Sequence, residues 1–320
     1  MRLLLAVVLI GLCWVSPAQA DPATVCTTSD KRLEELSGLA SDGTQWWAVG
    51  DGDIEGLYVL NRDCSVKRTI PIPFGTYDVE DMARAADGSL WLADTGDNRT
   101  KRSKDTLRVL RPNGVWQHYD VTLDRPRDIE ALLLARDGTP YLISKEPSGV
   151  AHIFTPSAPL SETGKVPLRE AGTVAISSTD TKGGPVSPAL GSVLITGGAV
   201  SPDGSVVALR TYTDVYLYRV AGGDLVGALQ GKPTRIPLAD EPQGEAIAFE
   251  PDGTLLAAGE KFGPLRAIPQ AVAQAPAPPA PAPAGKASGP VGEQRGSFWT
   301  VAAVGGVIAV GVWWLRRRRA

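Results

Sequence analysis

Apolar and polar positions along this chain fall into a unit that recurs five times. In each copy a short apolar strand enters a turn ending in Asp-Gly, and a second apolar strand leaves it. The turns end at Gly43, Gly88, Gly138, Gly204 and Gly253. Asp-Gly marks a tight turn because glycine accepts a positive φ that side chains resist. The second strands are Trp46 to Val49, Leu90 to Asp94, Tyr141 to Ser144, Val206 to Arg210 and Leu255 to Gly259. A third apolar strand follows in most copies, at Leu57 to Leu60, Leu107 to Leu110, His152 to Phe154 and Val215 to Tyr218. A more irregular fourth follows at Lys67 to Ile72, Trp116 to Val121 and Arg235 to Leu238.

Four short antiparallel strands at a period of about 40 to 50 residues are the sequence signature of propeller blades. The turn glycines are spaced 45, 50, 66 and 49 residues apart, and the long third interval carries a polar insertion around Ser177 to Gly184. The pattern therefore predicts an all-β, five-bladed β-propeller. A sixth, degenerate blade over Val174 to Ile195 is the alternative count, and a two-sheet sandwich is the alternative architecture, because even strand spacing alone does not separate the two. The fifth copy ends one strand short, after Leu265 to Ile268. Ala23 to Thr27 could supply that strand and close the ring, which removes open sheet edges.

The two ends read differently from the repeat. Arg2, an apolar run from Leu3 to Val15 and Ala18-Gln19-Ala20 form a signal peptide over residues 1–20. Phe298 to Leu315 is 18 residues without a charge, reaching about 27 Å as a helix, just enough to cross a hydrocarbon core. Trp299, Trp313 and Trp314 sit at its ends as interfacial aromatics do, and Arg316 to Arg319 place the tail, 316–320, in the cytoplasm. Residues 270–297 include Ala275-Pro-Ala-Pro-Pro-Ala-Pro-Ala-Pro-Ala284, a Pro/Ala-rich stalk in which proline lacks the N–H that helix and sheet need. The expected organisation is a propeller over 21–269, outside the cell and tethered to its membrane by one helix.

That organisation changes the charge. Arg2 and Arg316 to Arg319 lie outside the exported part and all 35 Asp+Glu lie inside it, so of 32 Lys+Arg only 27 count and the exported part carries a net charge of −8. Such a surface does not suit nucleic acid. Of three cysteines, Cys13 leaves with the signal, and Cys26 and Cys64 remain as an even pair in an oxidising compartment, predicting a disulfide. With only His118 and His152 and no short Cys/His spacing, zinc has no ligand set.

Aligned on Asp-Gly, Glu80, Glu130 and Glu245 share one register of the innermost strand, with Thr196 in the fourth copy and Glu35 or Ser37 in the first. In a propeller these positions crowd round the central channel, where three like charges repel unless a cation, an arginine or a proton offsets them. The second strands end in another polar row, Asp94, Ser144-Lys145, Arg210 and Glu260-Lys261. Lys145 and Arg210 are natural partners for the glutamates, so one reading is an ion-pair network that closes the channel. Asp51-Gly-Asp53 and Asp94-Thr-Gly-Asp-Asn98 are acidic loops at equivalent places, and their oxygens suit Ca2+. Asp51, Asp53, Asp94 and Asp97 are the metal candidates on this reading; Asp/Asn/Gly loops also occur simply as turns. No Gly-x-Ser-x-Gly is present, and the two histidines fall in or near strands, which leaves a Ser-His-Asp arrangement little support. Paired carboxylates could serve a glycosidase, but Trp46, Trp47, Trp91 and Trp116 lie in strands, where packing is the usual role.

Val79 to Ala83, Ala93-Asp-Thr-Gly-Asp-Asn-Arg99, Arg127-Asp-Ile-Glu-Ala131, Leu209 to Tyr216 and Pro242-Gln-Gly-Glu-Ala246 together resemble a family of exported bacterial β-propeller proteins common in high-GC Gram-positives. The resemblance spans about Leu36 to Pro269. It implies the propeller fold and a shared charged face, and brings no activity with it. More remotely the family is similar to the esterase-like phytase and calcium-dependent lactonase propellers, whose acidic channels hold calcium. Two functions follow as expectations. The first is binding of a cell-surface ligand or protein through the face bearing Glu80, Asp94, Asp97, Asn98, Glu130, Lys145, Arg210 and Glu245. The second is a metal-dependent hydrolase of esters, lactones, phosphates or glycosides built from the same residues with Ca2+.

Overall fold

Strand β1 (Ala23–Thr27) precedes five units of antiparallel strands. Blade one is β2 (Leu36–Ser41), β3 (Trp46–Gly50), β4 (Gly56–Leu60) and β5 (Val66–Pro71); blade two is β6 (Val79–Arg84), β7 (Leu90–Asp94), β8 (Asp105–Leu110) and β9 (Trp116–Thr122). Blade three is β10 (Ile129–Leu134), β11 (Pro140–Ser144), β12 (Val150–Pro156) and β13 (Lys165–Ala175); blade four is β14 (Ile195–Val200), β15 (Val206–Thr211), β16 (Asp214–Arg219) and β17 (Thr234–Pro237). Blade five is β18 (Gly244–Phe249), β19 (Leu255–Gly259) and β20 (Pro264–Ile268), and β1 pairs antiparallel with β20 as its outer strand. These are features of a computed structural model that describes residues 21–277.

Each innermost strand packs against its two neighbours, and β18 packs on β2, so the ring closes and the protein is a β-propeller of five blades. Burial follows position in the blade. Innermost β2 and β10 are buried at every residue, because a neighbouring blade covers each face, whereas outermost β5 is largely exposed. The core divides accordingly into five apolar clusters, one per blade interface. The cluster that closes the ring joins Leu39 and Trp46 of blade one to Ala246, Leu256 and Leu265 of blade five.

The repeated turn is built the same way five times. Gly43, Gly88, Gly138, Gly204 and Gly253 have φ of +86°, +87°, +85°, +71° and +84°. The preceding aspartate accepts the N–H two residues on, as from Thr44 to Asp42 at 2.8 Å, Ser89 to Asp87 at 2.9 Å and Thr139 to Asp137 at 2.9 Å. These Asx turns hold the hairpins at the end of the ring opposite the glutamates.

Three features go beyond the sequence reading. Blades two and three are fused at their outer edges, where the eleven-residue β13 pairs in parallel with β9 through Lys165↔Asp120, Val166↔Val121 and Pro167↔Thr122. The segment over 174–195 holds the end of β13 and the short helix α1 (Pro188–Gly191) but no further strand before β14, so the described residues form no sixth blade. Its insertion is tied to buried Asp214, which accepts from Thr179 Oγ1 at 2.9 Å, Thr181 Oγ1 at 2.9 Å and Arg235 Nη1 at 2.7 Å. Finally, the packed body runs past 269. After helix α2 (Leu225–Leu229), helix α3 (Ala271–Gln274) buries Ala271 against blades four and five, and Ala275 follows it into the same cluster. Arg219 donates to Val272 O at 2.7 Å and Pro276 O at 3.0 Å.

Cys26 and Cys64 form a disulfide with a Cα–Cα distance of 5.8 Å, joining the closing strand to blade one. The expected signal peptide, the remainder of the stalk, the membrane helix over 298–315 and the basic tail lie outside the described residues. Among the described residues no helix is long and apolar enough to cross a membrane.

Candidate cation site at the channel mouth

The second residue of each of the first four innermost strands, and the equivalent place in the fifth, sits at a break in strand register. The pairing skips Ser37, Glu80, Glu130 and Thr196, and in blade five it skips Glu245 with Ala246. A bulge at one register in every blade turns those side chains out of the ladder. Ser37 and Thr196 use their hydroxyls to bind the next blade, donating to Glu80 O and to Gly244 O. That leaves Glu80, Glu130 and Glu245 as the ring's carboxylates, exposed to only 4%, 2% and 4%.

Other acids crowd onto them. Asp78 and Asp128 stand two residues before Glu80 and Glu130, just ahead of β6 and β10; Asp51 follows β3 and Glu260 follows β19. Carboxylate oxygens of Asp51, Asp78 and Glu80 lie within 4.8 Å of one another, and so do those of Glu80, Asp128 and Glu130. Glu80 belongs to both triads. Gly96 makes this approach possible: a Cβ there would sit 1.8 Å from Glu80 Oε1 and 2.7 Å from Asp78 Oδ2.

Few bases answer these acids. Lys145 pairs with Glu130 and lies 3.5 Å from Asp128 Oδ2. The Asp97 backbone N–H donates to Asp128 Oδ1 at 2.8 Å, and Gln243 Nε2 to Glu245 Oε1 at 3.1 Å. Asp51 Oδ1, Glu80 Oε1 and Glu245 Oε2 are buried without a hydrogen-bond partner. Burial, reinforced by Glu130 and Asp51, raises Glu80 well above the usual carboxyl range. Burial also raises Glu130, despite Lys145, pushes Glu245 up to about 8, and with Asp78 beside it pushes Asp51 to about 7. Burial opposes the Lys145 charge, but Glu130, Tyr212 and Asp128 outweigh it and hold the ammonium protonated. Tyr212, also buried and beside Glu245, keeps its proton. Unpartnered buried oxygens in an all-oxygen donor set fit a hard divalent cation such as Ca2+, which takes 6–8 oxygens.

The structure gathers some of the residues singled out from sequence and disperses others. Glu80, Glu130, Glu245, Lys145 and Asp51 meet at the mouth. Asp94 does not join them: it is fully buried and salt-bridged to Arg102 at 3.1 Å and Arg108 at 2.7 Å, while accepting the Asp78 N–H at 3.0 Å. Asp97 turns its carboxylate back to the Arg102 N–H at 2.7 Å, and Asp53 accepts from Thr76 N at 3.2 Å and Oγ1 at 3.1 Å. These three build the loops that carry Asp78 and Gly96. Asn98 lies exposed on the rim. Arg210 pairs with Glu241, itself 3.3 Å from Arg266, and not with a ring glutamate. Asp78, Asp128, Tyr212 and Glu241 were missed. The first two had a signal, an Asp-x-Glu sequence repeated in blades two and three at one register.

No protein-family model and no curated protein matches the sequence. Among solved structures, a protein whose gluconolactonase activity is described only as an assignment is 14% identical, with a TM-score of 0.45, over 80% of this chain and 90% of its own. A gluconolactonase from Xanthomonas campestris is 13% identical, with a TM-score of 0.40, over 78% and 96%. A streptogramin B lyase is 12% identical, with a TM-score of 0.39, over 80% and 74%. None of these bears on the chemistry of this channel.

Proposed function

We propose that this chain is an exported propeller, tethered by its C-terminal helix, whose channel mouth holds a divalent cation, Ca2+ foremost, and uses it to bind an oxygen-rich ligand at the cell surface. The observation that carries this reading is Glu80: nearly buried, with an unpartnered oxygen, at the junction of two carboxylate triads. Desolvated carboxylates repel one another, and only protons or a cation relieve that repulsion. Asp51, Asp78 and Glu80 would hold the ion, and half-buried Asp51 and Asp78 leave it accessible from the outer face.

The test begins with fractionated cells, in which the tethered chain is expected with the membranes; recovery in the soluble fraction overturns the tether. The full chain, purified in detergent, is then melted in EDTA and in millimolar Ca2+. A cation that binds only the folded state stabilises by about 2.7 kcal/mol at a hundredfold excess over Kd. For a domain of this size that raises Tm by roughly 5–10 °C. Glu80→Gln should lose the rise. An equal melt with and without Ca2+ overturns the cation site.

A second reading, a cation-dependent hydrolase, is favoured by Lys145 and Tyr212 standing beside the same carboxylates. A bound cation would polarise a carbonyl or phosphoryl oxygen. Tyr212 holds a proton it could donate, and Glu245, with its carboxyl near 8, could accept one. Turnover of an ester, lactone or phosphate that Glu80→Gln and Tyr212→Phe both abolish would establish this reading over simple binding.

A further inference from the structure

We propose that the mouth contains two cation subsites sharing Glu80, and that the ammonium of Lys145 is the built-in occupant of the second, so that the channel takes one divalent ion and not two. This deepens the cation reading above and rests on it. The two triads are alike in donors: Asp51, Asp78 and Glu80 in one, Asp128, Glu130 and Glu80 in the other. They are unlike in partners. No basic side chain forms an ion pair with Asp51, Asp78 or Glu80 among the described residues, and one oxygen of Asp51 and one of Glu80 stay unpartnered. In the second triad Lys145 is placed from both ends of the side chain. Its backbone N–H donates to Asp128 O at 2.9 Å, directly after β11, and its Nζ meets Glu130 and stands 3.5 Å from Asp128 Oδ2. The side chain is 14% exposed, so the ammonium is enclosed with its acids.

The choice of a lysine has a physical reason. Triads that share a carboxylate would hold two divalent ions close together in a poorly solvated space, where their repulsion is large. A single positive charge neutralises part of the second triad at a smaller electrostatic cost. It also leaves Glu80 with one oxygen for the exchangeable ion. Lysine, a compact charge on a flexible stem with three donors, can replace a cation in a cage of oxygens, whereas the planar arginine fork cannot.

The experiment counts bound ions on the full chain by equilibrium dialysis against radioactive Ca2+. One ion per chain is expected for the wild type and two for Lys145→Met, which keeps the stem and removes the charge. Two ions in the wild type, or one ion in both proteins, overturn the proposal. No ion in either protein overturns this proposal and the cation reading together. No ion in the wild type but one in Lys145→Met overturns the proposed function alone and leaves Lys145 as the subsite's occupant. Should Lys145→Met not fold, anomalous scattering from wild-type crystals soaked in Tb3+ decides. One peak among Asp51, Asp78 and Glu80 is expected; a peak between Asp128 and Glu130 with Lys145 displaced overturns the assignment.

Discussion

At the scale of single residues, neighbours in sequence have opposite tasks. Glu80 turns into the mouth with an oxygen free, while Asp81 points into the ring and spends both oxygens on backbone. Asp81 accepts from Met82 N at 2.7 Å, Leu132 N at 2.8 Å and Gly198 N at 3.1 Å, so one carboxyl ties blades two, three and four. The bulge leaves Glu80 out of the strand ladder, while Asp81 keeps its place in it opposite Ala93. The mouth's acids also fix a pH dependence. Glu245 is raised to about 8 and Asp51 to about 7, with Glu80, Glu130 and Asp78 raised as well. The folded state therefore holds more protons than the unfolded chain, whose carboxyls titrate at about 4. Stability from these groups is complete below that value and falls as pH rises through 7 to 8. Melts in EDTA at pH 5, 6.5 and 8 should show Tm falling step by step. In Ca2+ the fall should shrink, because the ion stabilises the ionised carboxylates, and the calcium-induced gain should be largest at pH 8. A gain that is largest at pH 5 would mean these carboxyls are not the ligands.

At the scale of elements, the hairpins were legible and the loops were not. Every Asp-Gly turn identified from the sequence is a turn in the structure, because positive φ at glycine and an aspartate that closes its own turn are local requirements. The glutamate register was legible for the same reason, since it is counted from that turn. Loop roles depend on which charges lie across the loop. Asp94 and Asp97 read as calcium ligands in sequence, but Arg102 and Arg108 are close enough in space to claim Asp94. Their loop still serves the site through Gly96, whose missing side chain admits Glu80 Oε1. Gly96→Ala places a methyl 1.8 Å from that oxygen and must push Glu80 or the loop aside. Calcium binding by this variant should weaken at least tenfold in titration, with the fold retained by circular dichroism. Unchanged affinity would show that the loop yields freely and does not shape the site. The β9–β13 pairing had no local signal at all. It arises because β13 is long enough to cross from its own blade to the next.

At the scale of the whole molecule, the ring is held at one seam by an element from the far end of the chain. Four blades are each continuous in sequence; the fifth is finished by β1, which pairs with β20 through Ala23↔Ala267, Thr24↔Arg266, Cys26↔Leu265 and Thr27↔Pro264. Most of β1 is exposed, so apolar burial contributes little to keeping it there. The Cys26–Cys64 bridge, spanning a sequence separation of 38, does so instead by linking that strand to blade one across the seam. A loop of this length restricts the unfolded chain enough to contribute about 3–4 kcal/mol. Cys26→Ser with Cys64→Ser should therefore lower Tm on the order of 10 °C. The cluster of Leu39, Trp46, Ala246 and Leu256 still closes the inner layers, so the variant should remain folded and bind Ca2+ at 25 °C. Hydrogen exchange distinguishes where stability is lost. If the bridge acts at the seam, protection falls first in β1 and β20 and last in β10 and β14. A uniform fall across all five blades would mean that the bridge acts on the unfolded chain alone and that the closing strand holds its place without it.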